Sequence, residues 1–233
     1  MSLKRTLRKA GYDLIDGPVR NHKLLQMWLK DPGNPPTLYY RNIDHALSSP
    51  IPLTVVEDPA LNVDYKQKET FKFNIGITVL DQLLSSIGLG NLGLSVAFGG
   101  GKSVSISFRN SKTLTVALGE LEAYLGASDF SHPNRPLLDN ANRNRILLIS
   151  GILIAQDFKA VIETNTEFDA ELEAKFNEIA EGKATFKRTS ETKLEMSSEG
   201  NAFIPVAVQA HRLDWDNGEY SDMNLITDSR NVF

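Results

Sequence analysis

Long stretches of alternating apolar and polar residues limit the folds that this 233-residue chain can adopt. Residues 71–79 carry apolar side chains at every odd position. Residues 92–98 carry them at every even position, and the same even phase resumes over residues 104–108. Because successive side chains of a strand point to opposite faces of a sheet, this period predicts long strands that each have one apolar face.

The run GGGKS interrupts the second of these stretches and invites comparison with a phosphate-binding loop. Such a loop needs a glycine five residues before Gly101, where this chain has Val96, and a helix directly after the Lys-Ser pair. The residues after Lys102 alternate as in a strand. We therefore predict no nucleotide cofactor and interpret the glycines as a bend, a bulge or a turn.

A second arrangement of the same kind begins at Ile146. Residues 146–162 predict a strand, and residues 168–179 carry an apolar stripe at helical spacing that predicts a helix with Gly182 as its C-cap. Residues 183–196 alternate again and predict one further strand, although three polar residues interrupt its apolar face. The chain thus encodes strand, helical insert and strand twice, with the inserts predicted at 81–90 and 166–182.

The remaining segments give simpler predictions. The N-terminal residues, with an apolar stripe from Leu3 to Leu14, predict a basic helix, and residues 23–29 predict a second short helix. Residues 203–215 predict a strand, and the Asn217-Gly218 dipeptide after it is a strong hairpin signal. We interpret residues from about 220 to 233 as a polar tail.

The composition favours one domain over residues 1–233 and excludes several classes of function. A net charge of −4 argues against nucleic acid as a partner, and the chain has no cysteine for thiolate chemistry. Its four histidines are scattered, which predicts no metal site, and no motif marks an activated nucleophile. We therefore predict that the protein is not an enzyme and has no catalytic residues.

Two interpretations of the alternating strands remain open at this point. In the first, they belong to an α+β domain that binds or scaffolds other molecules, with one sheet face on a core and the other toward water. In the second, they cross a membrane, for which strands of about 9–11 residues suffice. Backbone groups in lipid must all be paired, so the second interpretation requires many copies to close one barrel together.

Several segments together resemble the bacterial gasdermins. They are the N-terminal basic helix, "FKFNIGITVLDQLLSSIG", "LGLSVAFGGGKSVSISF", "ILLISGILIAQDFKAVIET" with the acidic helix that follows it, and "VAVQAHRLDWDNGEY". The resemblance covers nearly the whole chain and rests on the arrangement of these segments. It implies an α+β fold, with a twisted, mostly antiparallel sheet and helices packed around it.

The resemblance also implies a function. It implies a pore-forming effector of antiphage defence that is cytoplasmic when inactive and is activated when a protease removes a C-terminal segment. The released form would bind lipids of the inner membrane, form a homo-oligomer, and contribute two long amphipathic β-hairpins per subunit to a large barrel. The chain ends soon after its last predicted strand, so an inhibited form and a cleaved form both remain open, and without cysteine it cannot be palmitoylated.

Three sets of residues are expected to act in this function. The first set would dock on anionic lipid, unless it is only a solvated helix face: Lys4, Arg5, Arg8 and Lys9. The second set would insert into the membrane: Phe71, Phe73, Ile75, Ile77, Leu94, Val96, Phe98, Val104, Ile106, Phe108, Ile152, Ile154, Phe158, Ile162, Phe186 and Leu194. The third set would form the hinge: Gly99, Gly100 and Gly101.

Overall fold

The computed structural model describes residues 3–15, 22–60, 73–75, 77–84, 94, 102–165, 167–169, 171–182, 184–198 and 203–226. The helices in these ranges are α1 (Leu3–Lys9), α2 (Ile77–Leu84), α3 (Leu118–Gly126), α4 (Arg135–Asn142) and α5 (Glu171–Ala180). The first strands are β1 (Asp13–Leu14), β2 (Met27–Leu29), β3 (Thr37–Tyr40), β4 (Leu47–Ser48), β5 (Val55–Pro59), β6 (Phe73–Ile75) and β7 (Lys102–Val116). The others are β8 (Asp129–Phe130), β9 (Ile146–Thr164), β10 (Thr185–Ser190), β11 (Lys193–Ser198), β12 (Ile204–Asp216) and β13 (Glu219–Leu225).

The fold is a mixed α+β arrangement around one large sheet. Within the described ranges, eleven strands form this sheet, β4 and β8 pair separately, and every strand pairing is antiparallel. The 19-residue strand β9 is its centre, because it pairs with β2, β7, β11 and β12. None of the described helices is long and apolar enough to cross a bilayer.

Several predicted elements agree with the structure. The strands over 104–108 and 146–162 and the acidic helix α5 are present, and Gly182 after α5 has the positive φ of a C-cap glycine. The basic N-terminal helix is present over Leu3–Lys9 only, because Leu14, predicted on its apolar stripe, lies in β1 and pairs with Ala207 of β12. The Asn217-Gly218 turn joins β12 to β13 with φ values of 51° and 89°, as a two-residue hairpin turn requires. These features depend mainly on local pattern and turn chemistry.

The prediction of a helix over 23–29 is wrong. Residues 27–29 form β2, which lies between β3 and β9 and pairs Met27 with Leu148. Met27 and Trp28 are both buried in this position. Pairing with the central strand therefore outweighs the local helical pattern.

The strand predicted over 71–79 is also wrong in its second half. Ile77 is the first residue of α2, whose core residues Leu80 and Leu84 follow it at helical spacing. Residues 77–79 continue the alternation of the preceding strand, so the sequence pattern did not indicate this helical stripe. Leu94, predicted within a strand, is helical and completely buried.

Two predictions near the C-terminus need correction as well. The single strand predicted over 183–196 is two strands, because the chain turns at Glu191-Thr192 and β10 pairs back on β11. The polar tail predicted from about 220 is not a tail up to Leu225, because residues 219–225 form β13 and bury Met223 against the core. Residues 227–233 lie outside the described ranges.

The part of the sheet around the first half of β9 is buried on both faces and is called the base below. Ile146 and Leu148 belong to one core cluster, whereas Leu147 and Ile149 belong to another on the opposite side. Helices α3 and α4 contribute Leu121 and Leu137 to the first of these clusters. The base therefore has the layered core of an ordinary globular domain.

A buried histidine in the base predicts acid sensitivity. His211 lies on β12 with its Nδ1 2.8 Å from Ser150 Oγ, and burial lowers the pKa of His211. His211 therefore binds a proton at a higher pH in the unfolded chain than in the folded chain. As a result, the free energy of unfolding should fall as the pH drops below about 6.5. We expect His211→Asn to flatten this loss in urea titrations between about pH 7 and pH 5, whereas His132→Asn, at an exposed position, should leave it unchanged.

Candidate membrane-active surface

Five strand segments next to the base form a part of the large sheet that we call the ribbon sheet. It consists of β6, residues 102–109 of β7, residues 158–164 of β9, β11 and β10, in that spatial order. The register pairs Phe73 with Ile106, and Ile106 with Ala160. Both strand-insert-strand regions of the sequence thus meet along the pairing of β7 with β9.

One face of the ribbon sheet is apolar and buried. Its residues occupy even positions: Val104, Ile106, Phe108, Phe158, Ala160, Ile162, Phe186, Leu194 and Met196. Helices α1, α2 and α5 cover this face through Leu7, Leu80, Leu84, Phe176 and Ala180, all in the same core cluster. The rings of Phe176 and Phe186 lie 5.3 Å apart. The helical inserts predicted from sequence therefore supply much of the cover over the strands that flank them.

The opposite face of the ribbon sheet is polar and largely exposed. Ser103, Lys159 and Glu195 are exposed on it. Lys193 Nζ donates to Glu163 Oε1 across two strands at 2.9 Å, and this contact lowers the pKa of Glu163 and raises that of Lys193. Both groups are exposed to solvent, so the pair adds little to stability.

Paired irregularities in β7 and β9 separate the ribbon sheet from the base. Asn110 and Asp157 both have φ values near +50°, and Asn110 Nδ2 donates to Asp157 Oδ2 at 3.3 Å. The register between the two strands shifts at this level. As a result, Ile152 and Ile154 of the base face a different core cluster from Phe158, on the other side of the sheet.

The comparisons with known proteins agree with this geometry. The sequence model described as the Bacterial Gasdermin Family matches residues 15–220 of the chain. The chain belongs to this family.

Individual bacterial gasdermins are distant in sequence. The protein named Gasdermin bGSDM from Gillisia limnaea is 22% identical over 228 residues, which cover 94% of this chain and 83% of that protein. The Gasdermin bGSDM of Lysobacter enzymogenes is 21% identical over 178 residues, covering 76% and 66% respectively. The structure of a bacterial gasdermin from Bradyrhizobium tropiciagri matches with a TM-score of 0.58 at 13% identity, covering 95% of this chain and 90% of that one. The gasdermin fold is thereby shown for this chain.

The residues predicted to dock on membranes differ in their surroundings within this gasdermin fold. Arg5 and Lys9 are exposed on α1. Arg8 instead donates through Nε to Oδ1 of Asp13 at 3.2 Å, and the Asp13 side chain is completely buried. Arg8 therefore ties α1 to β1, and the side chain of Lys4 lies outside the described part of the structure.

The residues predicted to insert into a membrane are only partly described. Val104, Ile106, Phe108, Phe158, Ile162, Phe186 and Leu194 share the apolar face of the ribbon sheet, and Leu94 and Ile77 pack against it. Phe73 and Ile75 lie in β6, where the backbone alone is described. Ile152 and Ile154 lie in the base instead. Phe71, Val96 and Phe98 lie outside the described residues, as do the hinge glycines Gly99, Gly100 and Gly101.

Two side chains of α5 that were not predicted from the sequence bind the outer edge of β10. Asn177 accepts from the Phe186 backbone N–H at 2.7 Å and donates to the Phe186 carbonyl at 2.8 Å. Glu173, one helical turn earlier, accepts from the Arg188 backbone N–H at 2.9 Å. Polar residues four apart on an acidic helix give no distinctive sequence signal, because most such residues face water.

Proposed function

We propose that this bacterial gasdermin is a pore-forming effector that binds the inner membrane, assembles into a ring of many copies and permeabilises the cell in antiphage defence. Activation follows proteolytic removal of a C-terminal segment, and the inactive form resides in the cytoplasm. No catalytic residue takes part. The observation that carries the proposal is the apolar face of the ribbon sheet, which two helices from the hairpin-forming regions help to cover.

In this proposal the face exchanges one apolar environment for another in which burial stabilises by a similar amount. Burying a large apolar side chain stabilises by about 1.5–3 kcal/mol, whether the surrounding groups are helices or acyl chains. When α2 and α5 leave the sheet, the face loses one apolar environment and gains another. The polar face can meanwhile remain in contact with water, as the lumen of a barrel requires.

The paired irregularities at Asn110 and Asp157 mark the limit of the inserting region in this proposal. Beyond them, both faces of β9 pack in globular core clusters. Ile152 and Ile154 accordingly stay with the base, although the sequence pattern placed them among the inserting residues. The inserting set then runs along β6, β7, β9 and the segment that contains β10 and β11.

Release of a trapped dye from vesicles of anionic bacterial lipid tests this function. The chain is added before and after limited proteolysis, and the vesicles are then imaged by electron microscopy. We expect dye release together with ring-shaped assemblies under at least one of the two conditions. Vesicles that stay sealed under both conditions would contradict the proposal and favour the alternative, an α+β binding or scaffolding domain without membrane activity.

Charge reversal on α1 tests which basic residues dock on lipid. We expect the double variant Arg5→Glu/Lys9→Glu to weaken the affinity for anionic vesicles, measured by cosedimentation, by at least about 30-fold, because each lost basic residue near an anionic surface contributes about 1 kcal/mol. The matched control reverses two exposed arginines of the base, Arg135 and Arg143. Equal binding by the two double variants would remove α1 from the docking surface.

A further inference from the structure

The direction of the strands decides which edge of the ribbon sheet a second copy can extend. All neighbouring strands in the series β6, β7, β9, β11 and β10 are antiparallel, so β6, β9 and β10 run one way and β7 and β11 run the other. A ring of copies in one orientation places β6 of one copy beside the far edge of the next. Pairing with β11 would be antiparallel there, whereas pairing with β10 would be parallel.

The lengths of β10 and β11 also favour pairing of β6 with β11. β10 and β11 have six residues each, which is shorter than the about 9–11 residues that a membrane-crossing strand needs. Joined through their turn, they would form one strand over residues 185–198. The buried residues Phe186, Leu194 and Met196 are all even-numbered, so they would share one face of that strand.

In the resting molecule, β10 is held in place on β11 from two sides. Asn177 and Glu173 of α5 satisfy the backbone groups of its outer edge at Phe186 and Arg188. At the turn, the Glu191 carbonyl accepts from the Phe168 backbone N–H at 2.7 Å, and the Thr192 carbonyl accepts from the Thr164 backbone N–H at 3.0 Å. The position of β10 thus depends on α5 and on the segment that leads into it.

We propose that the edge of β11 is the docking edge for β6 of a second copy of this chain, and that β10 occupies this edge until α5 is displaced. The inference rests on the proposed function and names the contact that delays assembly. Displacement of α5 frees the outer edge of β10, and straightening of the Glu191-Thr192 turn then exposes β11. Unpaired strand edges readily add a further strand, so the resting chain gains protection from premature assembly.

An engineered disulfide tests whether β10 must leave β11. Lys187 and Glu195 are opposite each other in the register and both exposed, and the chain has no native cysteine. The distance between Cα atoms in such a pair, about 5.5 Å, suits a disulfide. We expect oxidised Lys187→Cys/Glu195→Cys to lose vesicle leakage and cross-linkable oligomers, and dithiothreitol to restore both. The matched control, Asp216→Cys/Glu219→Cys, closes the β12–β13 turn of the base and should leak equally when oxidised or reduced.

A second variant loosens β10 without adding a bond. Asn177→Leu removes both hydrogen bonds to Phe186. We expect assembly and leakage to become about tenfold faster, which corresponds to a barrier lower by about 1.4 kcal/mol. Asn142→Leu is the control, since Asn142 accepts from the Gly218 backbone N–H in the base, and it should not accelerate either process.

The outcomes separate this inference from the proposed function. A wild-type chain that leaks, together with a fully oxidised 187–195 variant that leaks and assembles at the same rate, would overturn the docking edge and leave pore formation intact. Unchanged rates for Asn177→Leu would overturn the role of α5. A wild-type chain that neither assembles nor leaks would contradict both proposals together.

Discussion

The substitution Phe176→Ala is expected to lower the free energy of unfolding by about 3–5 kcal/mol and yet to accelerate vesicle leakage. Phe176 is 1% exposed, lies on α5 and packs against Phe186 of the ribbon sheet. Its removal weakens the contact that keeps α5 on the apolar face. Because α5 leaves that face before insertion in our proposal, the substitution should destabilise the resting state more than the transition toward the pore.

A substitution of comparable cost in the base provides the control. Leu213 is completely buried in a cluster with residues of α3 and α4, and Leu213→Ala should cost about 2–5 kcal/mol. Urea titration measures the stability of both variants, and dye release measures their leakage. Faster leakage by both would indicate that loss of stability alone promotes insertion, which would contradict a specific role for α5.

A second effect on stability is expected from Arg8→Ala, which we predict to destabilise the chain by about 1–3 kcal/mol. The substitution removes an ion pair between Arg8, whose side chain is 29% exposed, and the completely buried carboxylate of Asp13. The exposed neighbour Lys9 is the control, and Lys9→Ala should change stability by no more than about 0.5 kcal/mol. Equal stability of the two variants in urea would show that the Arg8 contact does not hold α1 in place.

The parts of the fold that follow from local pattern could be predicted from the sequence. The alternation over 104–108, the helical stripe of α5 and the Asn217-Gly218 turn each depend on residues close in the chain. The assignment of Met27 and Trp28 to a strand could not be predicted, because it depends on pairing with β9 more than a hundred residues away. The paired irregularities at Asn110 and Asp157 could not be predicted either. They place Ile152 and Phe158 on opposite sides of the sheet through the register between β7 and β9, which are distant in sequence.

The most informative error concerns residues 183–196. Their alternation, although interrupted by three polar residues on its apolar face, predicted one strand, whereas the structure has β10 and β11 joined by a turn. A pattern of period two specifies which face each residue takes, but it does not specify whether the strand is straight or folded back on itself. In our proposal the same pattern serves both arrangements, first as a hairpin and then as one longer strand. The contacts of Asn177 and Glu173 could not be predicted for a related reason, since they join a helix to a strand edge.

In our proposal, one face of the ribbon sheet exchanges its covering helices for acyl chains. Single cysteines introduced into this cysteine-free chain at Ile106 and at Ser105 place an environment-sensitive fluorophore on the apolar and the polar face of β7. With vesicles that carry a quencher on their acyl chains, we predict strong quenching at position 106 and little at position 105. Absence of quenching at both positions during dye release, or equal quenching at both, would contradict insertion of this face into the membrane.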